Sequence, residues 1–264
     1  DPRARAVTFT GSNGVGRGIA ARAAESGIKA QLELGGKNPS VVLADADLDR
    51  AVGCITRSAM WSTGQRCTAT SRAIVVDEVY EEVVERLVAA STALVVGDPL
   101  DEGTDVGPVA SRSQFDTVAG YLAIAQDQGL KCVLGGEAGD PDDGFFIPPT
   151  IYADVDPDSR LAVEEVFGPV IVVIRARDAE HALELANATE YGLSASLFTT
   201  NLSSALRATR ELEAGVVHVN GESAGAEPHV PFGGMKASST GSREQGKAAA
   251  EFFTETKTIY FEAV

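Results

Sequence analysis

The sequence is poor in positive charge. Its 264 residues contain 22 lysines and arginines against 38 aspartates and glutamates, a net charge of −16. No basic run interrupts that balance. Nucleic-acid binding needs clustered cations against phosphate and is therefore disfavoured, as is adhesion to an anionic surface. No apolar run reaches the ~18–20 residues of a membrane-spanning helix. Cysteine is scarce: Cys54, Cys67 and Cys132 are an odd number, too few for a disulfide framework. Without a secretory apolar segment they point to a reducing, cytoplasmic compartment. His181, His218 and His229 lie far apart without ligand spacing, so no metal site is expected. No Gly-x-Ser-x-Gly elbow occurs, which leaves a serine hydrolase unsupported. The chain opens Asp1-Pro2-Arg3-Ala4-Arg5, with no initiating methionine. That opening reads as neither a targeting peptide nor a natural start, so a fragment or a processed product is expected.

What is present is ordinary for a globular protein: 44% hydrophobic and 23% charged residues. The length suits one large domain or two small ones. Short apolar runs alternate with amphipathic stretches. Val7 to Thr10 reads as a strand, followed by a helix running to about Ser26 and stopping at Gly27. Ala30 to Leu34 and Val41 to Leu43 read as further strands. Asp47 is placed to cap a helix carrying Leu48, Val52 and Ile55 on one face. Arg72 to Val76 reads as a strand and Tyr80 to Val88 as a helix. Ser113 to Gln128 is predicted helical, with Lys131 to Leu134 a short strand. Val170 to Ile174 is β-branched throughout, the mark of a buried central strand. Asp178–Ala188 and Ser203–Leu212 read as helices, with strands at Ser194–Phe198 and Val216–Val219. A last helix is expected over Gly241–Phe252 and a terminal strand over Thr256–Phe261. The alternation argues α/β with a largely parallel sheet.

Several residues suggest chemistry. Gly11-Ser12-Asn13-Gly14-Val15-Gly16 joins a predicted strand to a predicted helix, where unpaired N–H groups attract phosphate. It matches neither the dinucleotide fingerprint nor a Walker loop, so a plain tight turn is an equal reading. Cys67 follows Gly64-Gln65-Arg66. A nucleophile with Arg66 favouring the thiolate and a buried small hydrophobe are both open. Cys54 and Cys132 read as core. Glu33 lies between Leu32 and Leu34, where desolvation would raise its pKa toward general-base range. A solvated strand face is the alternative. Glu165 precedes Val166-Phe167-Gly168-Pro169-Val170 and, alone, reads as a surface residue.

Together these segments resemble the aldehyde dehydrogenase superfamily. Phe9-Thr10-Gly11-Ser12 is similar to its cofactor turn and Leu32-Glu33-Leu34-Gly35-Gly36-Lys37-Asn38-Pro39 to its glutamate motif. Gly64-Gln65-Arg66-Cys67 is similar to its cysteine motif and Glu165-Val166-Phe167-Gly168-Pro169-Val170 to its nicotinamide-side motif. Pro231-Phe232-Gly233-Gly234-Met235-Lys236 is similar to its late loop. The five come in the family's order and cover essentially the whole chain. The resemblance implies an α/β fold: a catalytic domain with a parallel-rich sheet, plus the last βα piece of a Rossmann-like cofactor domain. Residues 1–35 would be that remnant, 36–235 the catalytic domain, and 236–264 a return segment with a terminal oligomerisation strand. It implies oxidation of an aldehyde to a carboxylic acid with NAD or NADP. Cys67 would be the nucleophile and Glu33 the base that activates water. Gly11, Ser12, Leu34, Gly35, Glu165 and Phe167 would hold the cofactor, and the Cys67 N–H would supply half of an oxyanion hole. Met60 and Trp61 would line a substrate tunnel or pack as core. A homodimer or homotetramer is implied for the full-length protein.

Departures from the family bear on these expectations. Its members are much longer, and roughly their first half would precede Asp1. Ser239 stands where many members have glycine. With Glu227-Pro228-His229-Val230-Pro231, that loop is similar to the α-ketoglutaric semialdehyde dehydrogenase branch, whose acidic substrate (2,5-dioxopentanoate) would need a cation. Arg66 is the one nearby candidate and is equally a structural hydrogen-bond donor. The competing reading is a catalytically silent binding or assembly fragment. A CoA-acylating variant and a cofactor-free cysteine hydrolase are weaker alternatives, given Glu33 and the lack of a histidine near Cys67.

Overall fold

The computed structural model describes residue 1 and residues 3–264. The first unit is β1 (Ala6–Thr10), α1 (Asn13–Glu25) and β2 (Lys29–Glu33). β1 and β2 pair in parallel, with Phe9 opposite Leu32 and Thr10 opposite Glu33; a parallel pair needs a crossover, and α1 provides it. The chain continues through β3 (Asn38–Val42), α2 (Leu48–Met60), β4 (Thr70–Val76), α3 (Tyr80–Thr92), α4 (Arg112–Asp127) and β5 (Lys131–Leu134). Then come β6 (Thr150–Ala153), the short α5 (Arg160–Val163), β7 (Val170–Ala176), α6 (Ala179–Asn187), β8 (Tyr191–Gly192) and β9 (Ser194–Phe198). α7 (Leu202–Glu211), β10 (Val216–Val219), β11 (Met235–Lys236), β12 (Ser239–Thr240) and α8 (Gly246–Phe252) follow.

The main sheet runs β10-β9-β3-β4-β7-β6-β5. Every neighbouring pair in it is parallel except β5 with β6. Successive side chains of a strand point to opposite faces, and the core divides accordingly. Ile74 and Val76 of β4, with Val170, Val172 and Ile174 of β7, pack with Phe115, Val118 and Leu122 of α4 and with Ala182 and Leu183 of α6. Ala73 and Val75, with Ile171 and Val173, pack on the other face against Ile55 of α2 and Val83 and Leu87 of α3. A sheet covered on both sides explains the uninterrupted β-branched run of β7. Helix starts are capped as polar residues before an apolar face should cap them: Asp47, Ser111, Asp178 and Asn201 each accept a backbone N–H from three residues on.

β12 places the late loop. It pairs antiparallel with β2, setting Ser239 opposite Glu33 and Thr240 opposite Leu32, so residues far apart in sequence share one small sheet.

Some expectations fail. The helix expected from Gly241 starts only at Gly246, because Gln245 sits at φ 64 and Phe232 and Glu244 exchange two backbone hydrogen bonds of 2.8 and 2.7 Å. Among the described residues, Thr256–Phe261 is not a strand paired within its own chain, since a strand needs a paired neighbour; a strand completed by a second subunit is a separate matter. Cys132, read as core, is exposed, because β5 is the sheet's outer edge. No helix among the described residues is long and apolar enough to cross a membrane.

Arg72 ties the layers together. It is 2% exposed, and its guanidinium donates to the carbonyls of Lys37 (2.9 Å), Leu185 (3.0 Å) and Ala186 (2.9 Å). Burial pulls its pKa down to about 10. Replacing it with methionine leaves three buried carbonyls without a donor. We expect Arg72→Met to destabilise the protein by roughly 3–5 kcal/mol, read as a lower urea midpoint; an unchanged midpoint would contradict the role assigned to it.

Candidate active site

Cys67 follows α2 through a sharp reversal. Ser62, Thr63 and Gly64 all lie in the left-handed region, at φ 54, 55 and 64, where non-glycine residues are uncommon. Gly64 is required there, since a Cβ would collide with the carbonyl of Gly168. The Thr63 hydroxyl donates to Gly107 O at 3.1 Å. The Asn38 carboxamide secures the far end of the turn. Its Nδ2 donates to Cys67 O and Ala69 O, both at 2.8 Å, and its Oδ1 accepts from Ser194 N at 3.1 Å. Gly36 lets the glutamate-motif backbone approach Cys67, because a Cβ there would lie 2.6 Å from Cys67 O. Behind the cysteine, the hydroxyls of Ser58, Thr70 and Ser223 bond one another at 2.8–3.0 Å.

The expectation that Arg66 favours the thiolate is not met. Its guanidinium donates to Arg57 O (3.1 Å) and Ser58 O (3.3 Å), the structural role. Burial, followed by the charges of Glu165 and Glu33, instead pushes the Cys67 thiol above its ordinary range. The backbone N–H groups of Cys67 and Thr68 oppose that shift. Met60 is core, 1% exposed, whereas Trp61 is 43% exposed with the Arg57 guanidinium 5.9 Å from its ring centre.

Glu33, at the end of β2, is 2% exposed, which excludes the solvated-face reading. Its Oε2 accepts from the Ser239 hydroxyl at 2.6 Å, and its Oε1 is buried without a partner. Burial raises this carboxyl to about 7. The Ser239 hydrogen bond works against that rise, Glu244 adds to it, and Arg243 and the Gly234 N–H lower it.

The other expected residues converge on one cleft of about 340 Å³. Gly11, Ser12, Leu34, Gly35, Cys67, Glu165 and Phe167 all line it, with Gln114 and Thr117 of α4. Glu165 is not a surface residue: it is half-buried, its Oε1 accepts from Gly36 N at 2.8 Å, and burial raises its pKa while Gly36 and Lys37 lower it. Phe167 sits at φ 55, its carbonyl held by Gln114 Nε2 at 2.8 Å. Asn13 joins the parts, accepting from Gly35 N at 2.9 Å and donating to Ala237 O at 2.7 Å.

The positioning roles of four side chains, Asn13, Asn38, Gln114 and Ser239, escaped the sequence reading, although Ser239 stood out as a departure in the late loop and Asn38 as a carboxamide entering an apolar strand. Lys37, next to it, is 2% exposed. Burial and then Arg72 push its pKa down to about 7, against the upward pull of Glu165 and Glu164.

The chain is an α/β protein with a doubly covered, largely parallel sheet, and its cleft brings Cys67 and the desolvated Glu165 together, whereas Glu33 lies outside the lining of that cleft. Comparison with known proteins gives the family. The aldehyde dehydrogenase family model matches residues 1–259, and the chain belongs to that family. It is 46% identical over 258 residues to the alpha-ketoglutaric semialdehyde dehydrogenase of Bacillus subtilis, covering 97% of this chain and 53% of that protein. It is 42% identical to human retinaldehyde dehydrogenase 3, covering 98% of this chain and 50% of that one. Among solved structures, an NAD-dependent aldehyde dehydrogenase from Sinorhizobium meliloti superposes with a TM-score of 0.93 at 38% identity, covering 97% of this chain and 50% of that one. An aldehyde dehydrogenase from Mycobacterium tuberculosis complexed with NAD+ gives 0.92 at 37%, covering 97% and 52%. The chain spans about half the length of the relatives it matches.

The charges around Cys67 generate a prediction. Iodoacetamide modification of Cys67, resolved from Cys54 and Cys132 by mass spectrometry, should rise with pH above the ordinary thiol range. Glu33→Gln removes a negative charge and should move that rise to lower pH. A shift upward, or none, would contradict the electrostatics described.

Proposed function

We propose that the whole protein oxidises an aldehyde to a carboxylic acid with NAD+, through a thioester on Cys67 and a water activated by Glu33. One observation carries this reading: Cys67, Glu165, Phe167 and the start of α1 share one cleft, while β2 holds the Glu33 carboxyl at about 7.

The cleft fits a dinucleotide. α1 starts at the cleft wall, its first turn has no acidic residue and its Ser12 makes no side-chain cap, so its N–H groups and dipole are available to a pyrophosphate. Glu165, at the other end, would hold the nicotinamide ribose by accepting its hydroxyls, and Phe167 would pack beside the ring. Gly11, Leu34 and Gly35 would shape the wall between. When bound, NAD+ supplies the hydride acceptor.

The chain's residues do the rest. The Cys67 thiolate attacks the aldehyde carbon, and the carbonyl electrons move to oxygen, where the Cys67 N–H donates to the oxyanion. Once the carbon is oxidised to the thioester, Glu33 takes a proton from water as the water oxygen bonds to that carbon. The C–S bond then breaks and the thiolate returns. Glu33 suits this step because a carboxyl titrating near neutrality is both available as carboxylate and strong enough as a base.

The late loop and the Bacillus relative favour an acidic semialdehyde such as 2,5-dioxopentanoate. Residues 1–35 would complete a cofactor domain, 36–235 form the catalytic domain, and 236–264 carry a return segment and an oligomerisation strand in a cytoplasmic homodimer or homotetramer. The unpaired Thr256–Phe261, with Tyr260 86% and Phe261 93% exposed, supports the last assignment.

The test is kinetic. The whole protein, given NAD+ and α-ketoglutaric semialdehyde, should form NADH. Cys67→Ala should abolish both the first turnover and the steady state. Glu33→Gln should keep a burst of NADH but slow steady turnover by about 100-fold or more. No NADH from that semialdehyde or from a panel of simple aldehydes would favour a silent assembly fragment instead.

A further inference from the structure

The Ser239 hydroxyl lies against Glu33, and the β2–β12 register puts it there. The two residues are directly opposite in an antiparallel pair, where side chains of facing positions meet. The pairing is fixed independently by Leu34 N donating to Ser238 O at 2.8 Å. The hydroxyl is used in both directions: it accepts from Gly234 N at 2.6 Å and donates to Glu33 Oε2 at 2.6 Å. The second carboxylate oxygen, Oε1, is buried with no partner. An orphaned buried oxygen is costly, and this one, packed against Gly233, is the carboxyl oxygen with no hydrogen bond to lose.

We infer that Ser239 is a positioning residue for the general base: its hydroxyl, polarised by the Gly234 N–H, holds Oε2 of Glu33 and leaves Oε1 to take the proton of the attacking water. The inference rests on the reading of Glu33 as that base. The hydroxyl also sets the pH at which the base works. A hydrogen bond donated to the ionised form favours that form. The other charged or titratable groups acting on Glu33 are Glu244, which raises its pKa, and Arg243, which lowers it; the Cys67 thiol feels the Glu33 charge in return. Ser239 is the strongest of the influences that oppose burial, so its removal should carry the carboxyl higher.

The experiment compares Ser239→Gly, Ser239→Thr and Glu33→Gln in the whole protein with NAD+ and α-ketoglutaric semialdehyde. Difference infrared spectroscopy of the Glu33 carboxyl, with Glu33→Gln as reference, follows its titration without cofactor or substrate. Ser239→Gly should raise the infrared midpoint and the acid limb of steady turnover together, by about one pH unit. For a midpoint moving from 7 to 8, turnover at pH 7 falls about five-fold and converges on the parent rate by pH 9. The NADH burst should keep its amplitude, and Ser239→Thr, which retains the hydroxyl, should restore the profile. A loss of turnover in Ser239→Gly that is equal at every pH, or an unmoved infrared midpoint, overturns the role of Ser239. Full steady turnover in Glu33→Gln overturns the base assignment, while the infrared midpoint still decides whether Ser239 sets the Glu33 titration.

Discussion

The site depends on one carboxamide. Asn38 satisfies three backbone groups from separate stretches of chain: Cys67 O, Ala69 O and Ser194 N. A side chain with both a donor and an acceptor end can do this, whereas an aspartate could not donate to the two carbonyls. Through it the cysteine loop is registered against β3 and β9, two neighbouring strands of the main sheet. The other anchors attach to that frame: Arg72 fixes Lys37 O from below, and Gly36 donates to Glu165 from above. The cysteine loop, the cleft carboxylate and the glutamate motif are therefore tied together largely through backbone groups, with Glu165 held by Gly36 N of the glutamate motif itself.

The electrostatics share a single cause. Burial moves Glu33, Glu165 and the Cys67 thiol upward and Lys37 downward, each toward its neutral form. The Cys67 thiol feels the charge of both carboxylates, so ionising either makes ionising the thiol harder. Burial thus works against charge at each of these groups, whatever its sign. The hydroxyl and N–H donors around Glu33 keep it from being driven so high that it would be useless at neutral pH.

Much of the fold was legible because the patterns were long. β7 showed itself by five β-branched residues, α2 by Asp47 and an apolar stripe, and the α/β class by simple alternation. Elements without such patterns stayed hidden. β6 is four residues after Pro148-Pro149, and β8, β11 and β12 are two residues each, defined only by their partners. Cys132 looked like core because its neighbours are apolar, but strand order, not composition, decides which strand lies at the edge. The site was legible in its chemically distinctive residues, Cys67, Glu33 and Glu165. It was illegible in the roles of Asn13, Gln114 and Ser239, whose contacts cross 22 to 224 residues of sequence. The reading of Arg66 failed for a related reason: adjacency in sequence to Cys67 did not fix where a long side chain would end.

The left-handed turn at Ser62-Thr63-Gly64 has a further bearing on durability. Two of its residues carry side chains in a backbone state that is disfavoured by about 1–2 kcal/mol each, and within the turn a single backbone hydrogen bond, Gln65 N to Ser62 O at 2.9 Å, works against that. What restrains it is the neighbouring loop, through Thr63 to Gly107 O and through Ala110 N to Gln65 Oε1 at 2.9 Å. If heating loosens that loop, the turn before Cys67 can relax while Asn38 still ties Cys67 O and Ala69 O to an intact sheet. Loosening of the turn is then a local event, and stiffening residues 107–110, rather than enlarging the core, is the direct way to hold it.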